Sequence, residues 1–535
     1  MLVNNFLEES TKKYSEKIAL IVSEGRFTYR EVDEMANKVS QALLAEGLEK
    51  GDRAVIFMDN SVDAVVSLFG VLKAGGVFVM VNPTTKAEKL TYLLNNCRAS
   101  ALISSLGKLP VIKEACKGAT SLRRIYLGGD KIAYQEALPK KTLSLMELFS
   151  CNHGHPPSSS IIDMDLASII YTSGSTGHPK GVMMSHLNMV SAANSITQYL
   201  ENSSDDIILN VLPLSFDYGL YQVLMGFKMG ATVILERTFL YPYRVIDIMM
   251  KEKVTGFPIV PVISAILLQM EDIKRHNFDH LRYITNTAAA LPVSHIQKLR
   301  AVFPKARIYS MYGLTECKRV SYLPPDQIDI RPNSVGKAMP NVEIHIVDET
   351  GNPVGPGVIG ELIVNGPNVM KGYWEMPEET AKRLRPFLKP VHQLTTSPPS
   401  EKESKGGFDQ GFSGETALYT GDLFKMDEDG YLYFAARKDD IIKSRGEKVS
   451  PREIENILYE IDGIVEAAVI GVPDPVLGEA IKALIVLKDG VNLSEKDILR
   501  YCSQHVEDFM VPTHVEFRKE LPKTSTGKVK KTELK

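Results

Sequence analysis

The sequence predicts an α/β protein: a large N-terminal domain of doubly wound α/β layers plus a small β-rich subdomain, followed by a small α+β C-terminal domain. Three observations carry this. Apolar runs of strand length alternate with amphipathic helical stretches as far as Ser310, the pattern of parallel layers. After about Ser334 the chain changes to alternating strands and tight turns. After Arg437 it becomes a compact mixture of strands and helices. A length of 535 residues allows roughly two to four domains or subdomains.

The elements follow in order. Thr28 and Glu31 form a capping-box pattern for a helix running to about Glu46, with Val32, Met35, Ala36, Val39, Ala42 and Leu43 at helical spacing. Arg53–Met58 is a strand, Ser61–Ala74 a helix and Val77–Val81 a strand. Further strands are expected at Ala99–Ile103, Leu166–Ile170, Ile207–Leu212, Thr232–Leu235, Gly256–Val260, Tyr283–Thr285 and Arg307–Ser310. Val342–Val347 and Gly360–Val364 begin the β-rich part. Pro390–Ser413 is rich in Ser, Pro, Lys and Gly without periodicity and reads as a flexible surface insertion. Arg452–Tyr459 and Glu495–His505 are helices, with strands at Val465–Val472 and Ile481–Leu487.

Composition limits the function classes. A net charge of -3 argues against a nucleic-acid partner. The five cysteines form no Cys-x-x-Cys pair, so neither a zinc site nor a disulfide framework is indicated, and a reducing cytoplasm is expected. The N-terminus has no signal-peptide pattern. The most apolar stretch, Ala64–Val81, is broken by Lys73, Gly75 and Gly76, and reads as buried helix then buried strand, not as a membrane span.

The stretch Tyr171-Thr-Ser-Gly-Ser-Thr-Gly-His-Pro-Lys180-Gly181 carries the most chemistry. Thr172, Ser173, Ser175 and Thr176 supply hydroxyl donors, Gly174 lets backbone N–H groups approach an anion, and Lys180 adds a charge. It is a polyphosphate cradle, yet not a Walker A loop, because Pro179 precedes Lys180 and Gly181 follows. The bland alternative is a Gly/Ser surface loop. Three more clusters follow. Tyr312-Gly313-Leu-Thr315-Glu316 offers a ring for a base, a hydroxyl for a phosphate and an oxygen ligand for Mg²⁺, or else is a plain strand end. Tyr419-Thr-Gly-Asp422 exposes a carboxylate that can accept from two ribose hydroxyls, or is an ordinary turn. Lys528 follows Gly527 on a loop that could swing into a distant site, or lies in a solvated basic tail.

In this order the clusters resemble the adenylate-forming (AMP-binding) superfamily of acyl-CoA synthetases, peptide-synthetase adenylation domains and luciferases. The resemblance spans nearly the whole chain. It departs at Ala436, where the family usually has Gly, at Asn286–Leu291, and in the long insertion before Thr420. It implies a catalytic set of Lys528, Glu316 and Thr172. ATP would contact Thr172, Ser173, Gly174, Ser175, Thr176, Lys180, Ala288, Ala289, Tyr312, Gly313, Thr315, Asp422, Arg437 and Lys528, with Glu316 holding Mg²⁺. It also implies an adenylation domain over 1–436, with 335–436 the β-rich subdomain and 390–413 the insertion. The C-terminal domain, 437–535, would be mobile about a hinge near Asp439 and would bring Gly446 to a thiol tunnel.

The implied reaction is activation of a carboxylic acid to an acyl-AMP with release of pyrophosphate, then transfer to a thiol. Asp217, Tyr218 and Met311 are the expected acid-binding residues. Phe216-Asp217 resembles amino-acid-activating domains, in which the aspartate binds the substrate ammonium. This favours an amino acid, with proline one candidate, and the phosphopantetheine of a separate carrier protein as acceptor. The alternative is an AMP-forming acyl-CoA synthetase acting on a fatty or aryl acid with CoA. Of two readings from other classes, a catalytically silent nucleotide-binding regulator is disfavoured because Lys528 and Glu316 are both present, and an oxygenase of the luciferase kind is separated by a luminescence assay.

Overall fold

Parallel strands buried on both faces read as continuous apolar runs, and the two large sheets are built from such runs. The structure is a computed structural model of the chain. It describes residues 1–129, 138, 140–150, 160–172, 179–287, 291–387, 416–438, 440–444, 447–474, 478–506, 509–524 and 528–534.

The nine-stranded sheet has Ile18–Val22, Thr232–Leu235, Ile207–Asn210, Gly256–Ile259, Tyr283–Asn286 and Arg307–Tyr312 running parallel in that spatial order. Gly25–Thr28 closes one edge, and Ser321–Tyr322 with Lys337–Ala338 closes the other, all antiparallel. In the eight-stranded sheet Leu166–Thr172, Val77–Met80, Arg53–Phe57, Ala99–Ser105, Arg124–Gly128 and Lys141–Ser144 are parallel. Lys180–Ser185 and Gly372–Tyr373 continue it antiparallel beyond Leu166–Thr172. The parallel reading therefore holds inside both sheets. Their edges are antiparallel because short returns need no crossover helix.

Helices Tyr29–Ala45, Val62–Lys73 and Asp217–Met229 contribute to one large core cluster. Thr28 and Glu31 make the expected capping box. A Cβ on Gly70 would lie 2.6 Å from Val39 Cγ1, so this glycine lets two of these helices approach closely. Phe69 and Phe227 stack at 5.4 Å. The apolar stretch read as helix plus strand is so, and no described helix is long and apolar enough to cross a membrane.

A third, five-stranded sheet is antiparallel: Glu343–Val347, Gly360–Asn365, Thr416–Met426 and Leu384–Pro386, with Leu432–Arg437 pairing Thr416–Met426. The insertion 390–413 lies outside the described residues. A fourth sheet, also five-stranded, is C-terminal. Its long hairpin Ile464–Asp474/Gly478–Leu487 joins Ile442–Ser444, Glu447–Val449 and His514–Phe517. Helices Pro451–Glu460 and Glu495–His505 pack on it through Ile454, Leu458, Ile498 and Cys502. Cys97, Cys116, Cys317 and Cys502 are free and buried, and Cys151 lies outside the described residues.

Candidate active site

In open α/β sheets, ligands bind at the carboxyl ends of strands. The phosphate-loop motif sits at such an end, but inside an antiparallel hairpin. Thr172 pairs with Lys180 across it, and Thr172 Oγ1 donates to Lys180 O at 3.5 Å. The strand returns to Ser185 before the next helix begins. This differs from a strand–loop–helix arrangement. Ser173, Gly174, Ser175 and Thr176 lie outside the described residues. Lys180 Nζ is 2.6 Å from Glu379 and 5.4 Å from the centre of the Tyr373 ring. Hydrogen bonds from Lys180 and Lys382 hold the Glu379 carboxyl down at about 2.

Strand Arg307–Tyr312 delivers the second cluster. A Cβ on Gly313 would lie 2.0 Å from Lys318 O, so the turn after Tyr312 admits only glycine. Tyr312 donates its hydroxyl to Asp422 Oδ2 at 2.6 Å and meets Phe424 edge-on. Thr315 and Glu316 follow, both partly exposed. Glu316 Oε1 accepts from Tyr373 at 2.8 Å, and its backbone oxygen accepts from Met370 N at 2.7 Å. Met311 Sδ accepts from Tyr199 at 3.0 Å. Ala288 and Ala289 lie outside the described residues.

Cross-strand pairing sets Asp422 opposite Arg437, with Arg437 Nε 3.6 Å from Asp422 Oδ1. Gly421 before it takes a left-handed φ of +74°. Burial pushes the Asp422 carboxyl up, while Arg437 and the Tyr312 hydroxyl oppose this.

Lys528 arrives on a C-terminal turn. Thr524 N donates to Lys528 O at 2.7 Å, and Lys528 N donates to Thr524 Oγ1 at 3.1 Å. Burial, and then Arg437, lower the pKa of the Lys528 ammonium, while the fields of Asp422, Asp217 and Glu316 raise it. The fields of Asp422, Asp217 and Glu316 thus all reach this one lysine. Asp439 and Gly446 lie outside the described residues.

Asp217 opens helix Asp217–Met229 and is 8% exposed. The helix N-terminus favours its negative charge. Tyr218 does not offer its hydroxyl to a ligand: the hydroxyl is spent on Thr285, 2.8 Å from the backbone oxygen. Its ring is a wall, with the Arg319 guanidinium 4.8 Å from its centre.

Among the described residues no cluster of three or more His, Cys, Asp or Glu could hold a metal ion. Glu316 alone fits Mg²⁺, because Mg²⁺ keeps several waters and takes one or two carboxylates together with phosphate oxygens. Only one of the Glu316 oxygens takes a hydrogen bond among the described residues. Sequence reading missed Glu379 and Tyr373. Their only sequence signal is the acidic first turn of helix Pro377–Arg383 and the aromatic pair before it.

The family described as AMP-binding enzyme matches residues 7–374, and its C-terminal domain matches 453–528. A long-chain-fatty-acid–CoA ligase of Bacillus subtilis is 30% identical over 99% of this chain and 94% of its own length. A linear gramicidin synthase of Brevibacillus parabrevis is 28% identical over 100% of this chain, which spans only 6% of that protein. The solved anthranilate CoA ligase AuaEII, in complex with anthranoyl-AMP, superposes with a TM-score of 0.87 at 27% identity, covering 100% of this chain and 96% of that one. The chain belongs to the AMP-binding enzyme family.

Proposed function

We propose that this chain is an AMP-forming acid–thiol ligase. ATP activates a carboxylic acid to an acyl-AMP, pyrophosphate leaves, and the acyl group passes to a thiol. The observation that carries the reading is Lys528, which lies in the fields of Asp217, Glu316, Asp422 and Arg437 at once. A single cation in the field of both Asp217, read as acid-side, and Asp422, read as ribose-side, suits the joining of an acid to the α-phosphorus of a nucleotide.

The chemistry follows from charge. A carboxylate oxygen attacks the α-phosphorus, and two anions must approach each other. Lys528 offsets their repulsion, and Lys180 receives the departing phosphates once Glu379 yields it. Asp422 accepts from the ribose hydroxyls, and Thr172 and Thr315 donate to phosphate oxygens. Mg²⁺ held by Glu316 would neutralise phosphate charge. Ser173, Gly174, Ser175 and Thr176 complete the cradle in this reading, and Ala288 and Ala289 leave room for the base. Rotation of the C-terminal domain about Asp439 then withdraws Lys528 and brings Gly446 to the thiol path. The corresponding division is 1–436, including the β-rich 335–436, and 437–535.

For the acceptor, the names of the similar ligases support CoA, and the gramicidin synthase match supports a carrier-bound phosphopantetheine. For the acid, the buried Asp217 supports a substrate with an ammonium group, such as an amino acid. The fatty or aryl acid is the second reading, on the names of the relatives. The test is ATP–pyrophosphate exchange across amino acids, aryl acids and fatty acids, followed by thioester assays with CoA and with a phosphopantetheinylated carrier protein. Acid-dependent exchange with AMP as product is expected. ADP as product, or no exchange with any acid, would overturn the proposal.

A further inference from the structure

The helix that begins with Asp217 faces two buried basic side chains that no described carboxylate meets in an ion pair. Lys318 and Arg319 are 2% and 4% exposed. Lys318 Nζ and Arg319 Nε have no hydrogen-bond partner, and neither side chain forms an ion pair among the described residues. Lys318 Nζ lies 5.8 Å from the centre of the Tyr221 ring, and the Arg319 guanidinium lies 4.8 Å from that of Tyr218. Both rings belong to the first turns of that helix. The guanidinium has only neutral partners, Thr287 Oγ1 at 3.4 Å and the Tyr199 hydroxyl, among the described residues. Lys318 also holds a left-handed φ of +63°, a conformation that persists only where the surroundings enforce it.

The two basic groups are buried without a direct carboxylate partner among the described residues. Asp217 and Glu316 are the carboxylates whose fields reach Lys318. Burial nevertheless disfavours the Lys318 ammonium, and neither carboxylate stands within ion-pair distance of Lys318 or Arg319 among the described residues. A guanidinium stays ionised, and burying it unpaired is costly. A hydrocarbon chain laid on this wall would leave that cost in place. We propose that Lys318 and Arg319 form an anion subsite, so that the acid this chain activates carries a second anionic group, such as a carboxylate, a few bonds from the one adenylated. The inference rests on the adenylation reading above and narrows it. Dicarboxylic acids and acidic amino acids are selected over proline and long-chain fatty acids.

The full-length enzyme with ATP and Mg²⁺ is assayed for pyrophosphate exchange on matched acids: succinate against butyrate, glutarate against valerate, glutamate against proline, and hexadecanoate alone. At least one acid with a second carboxylate is expected to exceed its monocarboxylic counterpart by about ten-fold or more in kcat/KM, since a site built for a polar group rejects the analogue lacking it. Arg319→Met should bring that ratio toward one through KM, and Arg319→Lys should retain most of it. A preference for monocarboxylates or hexadecanoate, or an equal loss on every acid in Arg319→Met, overturns the subsite while leaving adenylation standing. Failure of every acid to support exchange removes both. The wild-type ratio decides the question even if Arg319→Met does not fold.

Discussion

Two buried imidazoles that must stay neutral make the fold sensitive to acid. His186 Nδ1 accepts the Val3 N–H at 3.0 Å and ties the N-terminus to the helix after the phosphate hairpin. His295 Nδ1 is 2.9 Å from Ser264 Oγ. Burial lowers each from 6.5 to about 4. Because the folded pKa lies below the unfolded one, the unfolded chain binds more protons between these values. Stability is therefore full above the unfolded pKa and is lost as pH falls toward the folded one. Each histidine should remove about 2 to 3 kcal/mol between neutral pH and about pH 4.5. Urea unfolding at stepped pH, with His186→Gln and His295→Gln alongside, measures it. Wild-type and variant slopes that coincide would refute the assignment. At this scale candidate site residues are legible in the sequence where the chemistry is contiguous. Thr172, Glu316, Asp422, Arg437 and Lys528 could be named because each sits in a short motif. Glu379 could not, since its value lies in meeting Lys180 across a large separation, and the sequence could not show that the Tyr218 hydroxyl goes to Thr285, a distant residue.

Among elements, Lys73 shows how an interruption in an apolar run can be a joint. From the sequence it only breaks the Ala64–Val81 stretch. In the fold it is 2% exposed, and its ammonium meets Asp33 at 2.7 Å, Asn37 at 2.8 Å and Glu8 at 3.4 Å. These partners lie on helices Tyr29–Ala45 and Asn5–Tyr14, so one charge ties three helices together. Lys73→Met should cost about 3 kcal/mol, because it strands Asp33 and Glu8 without their cation. Lys73→Met/Asp33→Leu should cost less than the sum of the singles. A denaturant double-mutant cycle checks this, and additive losses would show that the pair is not coupled. The interior strands and the helix caps were legible because their signals are local: apolar runs of fixed length and the Thr28/Glu31 pattern. The antiparallel edges were not, because strands as short as Ser321–Tyr322 and Gly372–Tyr373 carry no periodicity and exist only through their partners.

For the whole molecule, the proposed reaction rests on Lys528, whose turn belongs to the C-terminal part while Asp217, Glu316 and Asp422, whose fields reach it, lie among the large sheets and the third sheet. Lys528 sits on a turn held by its own hydrogen bonds to Thr524, and its neighbours Leu521, Val529 and Leu534 pack against Ala468 and Leu484 of the C-terminal sheet. If that domain serves adenylation in this pose and thiol transfer in another, the two half-reactions must differ in their need for Lys528. Lys528→Ala should lower acid-dependent pyrophosphate exchange by about 10² to 10³, the usual loss when a preorganised cation is removed from developing charge. Thioester formation from supplied acyl-AMP should stay within about three-fold of wild type. The pH profile gives a second signature. The ammonium titrates below its ordinary value because burial and Arg437 disfavour its charge. Adenylation should therefore fall as pH rises through that lowered value, whereas Lys528→Arg, which stays protonated, should lose this alkaline limb. Equal loss of both half-reactions in Lys528→Ala would mean that the lysine supports the fold or both chemistries alike, and the division of labour between two domain poses would have to be abandoned.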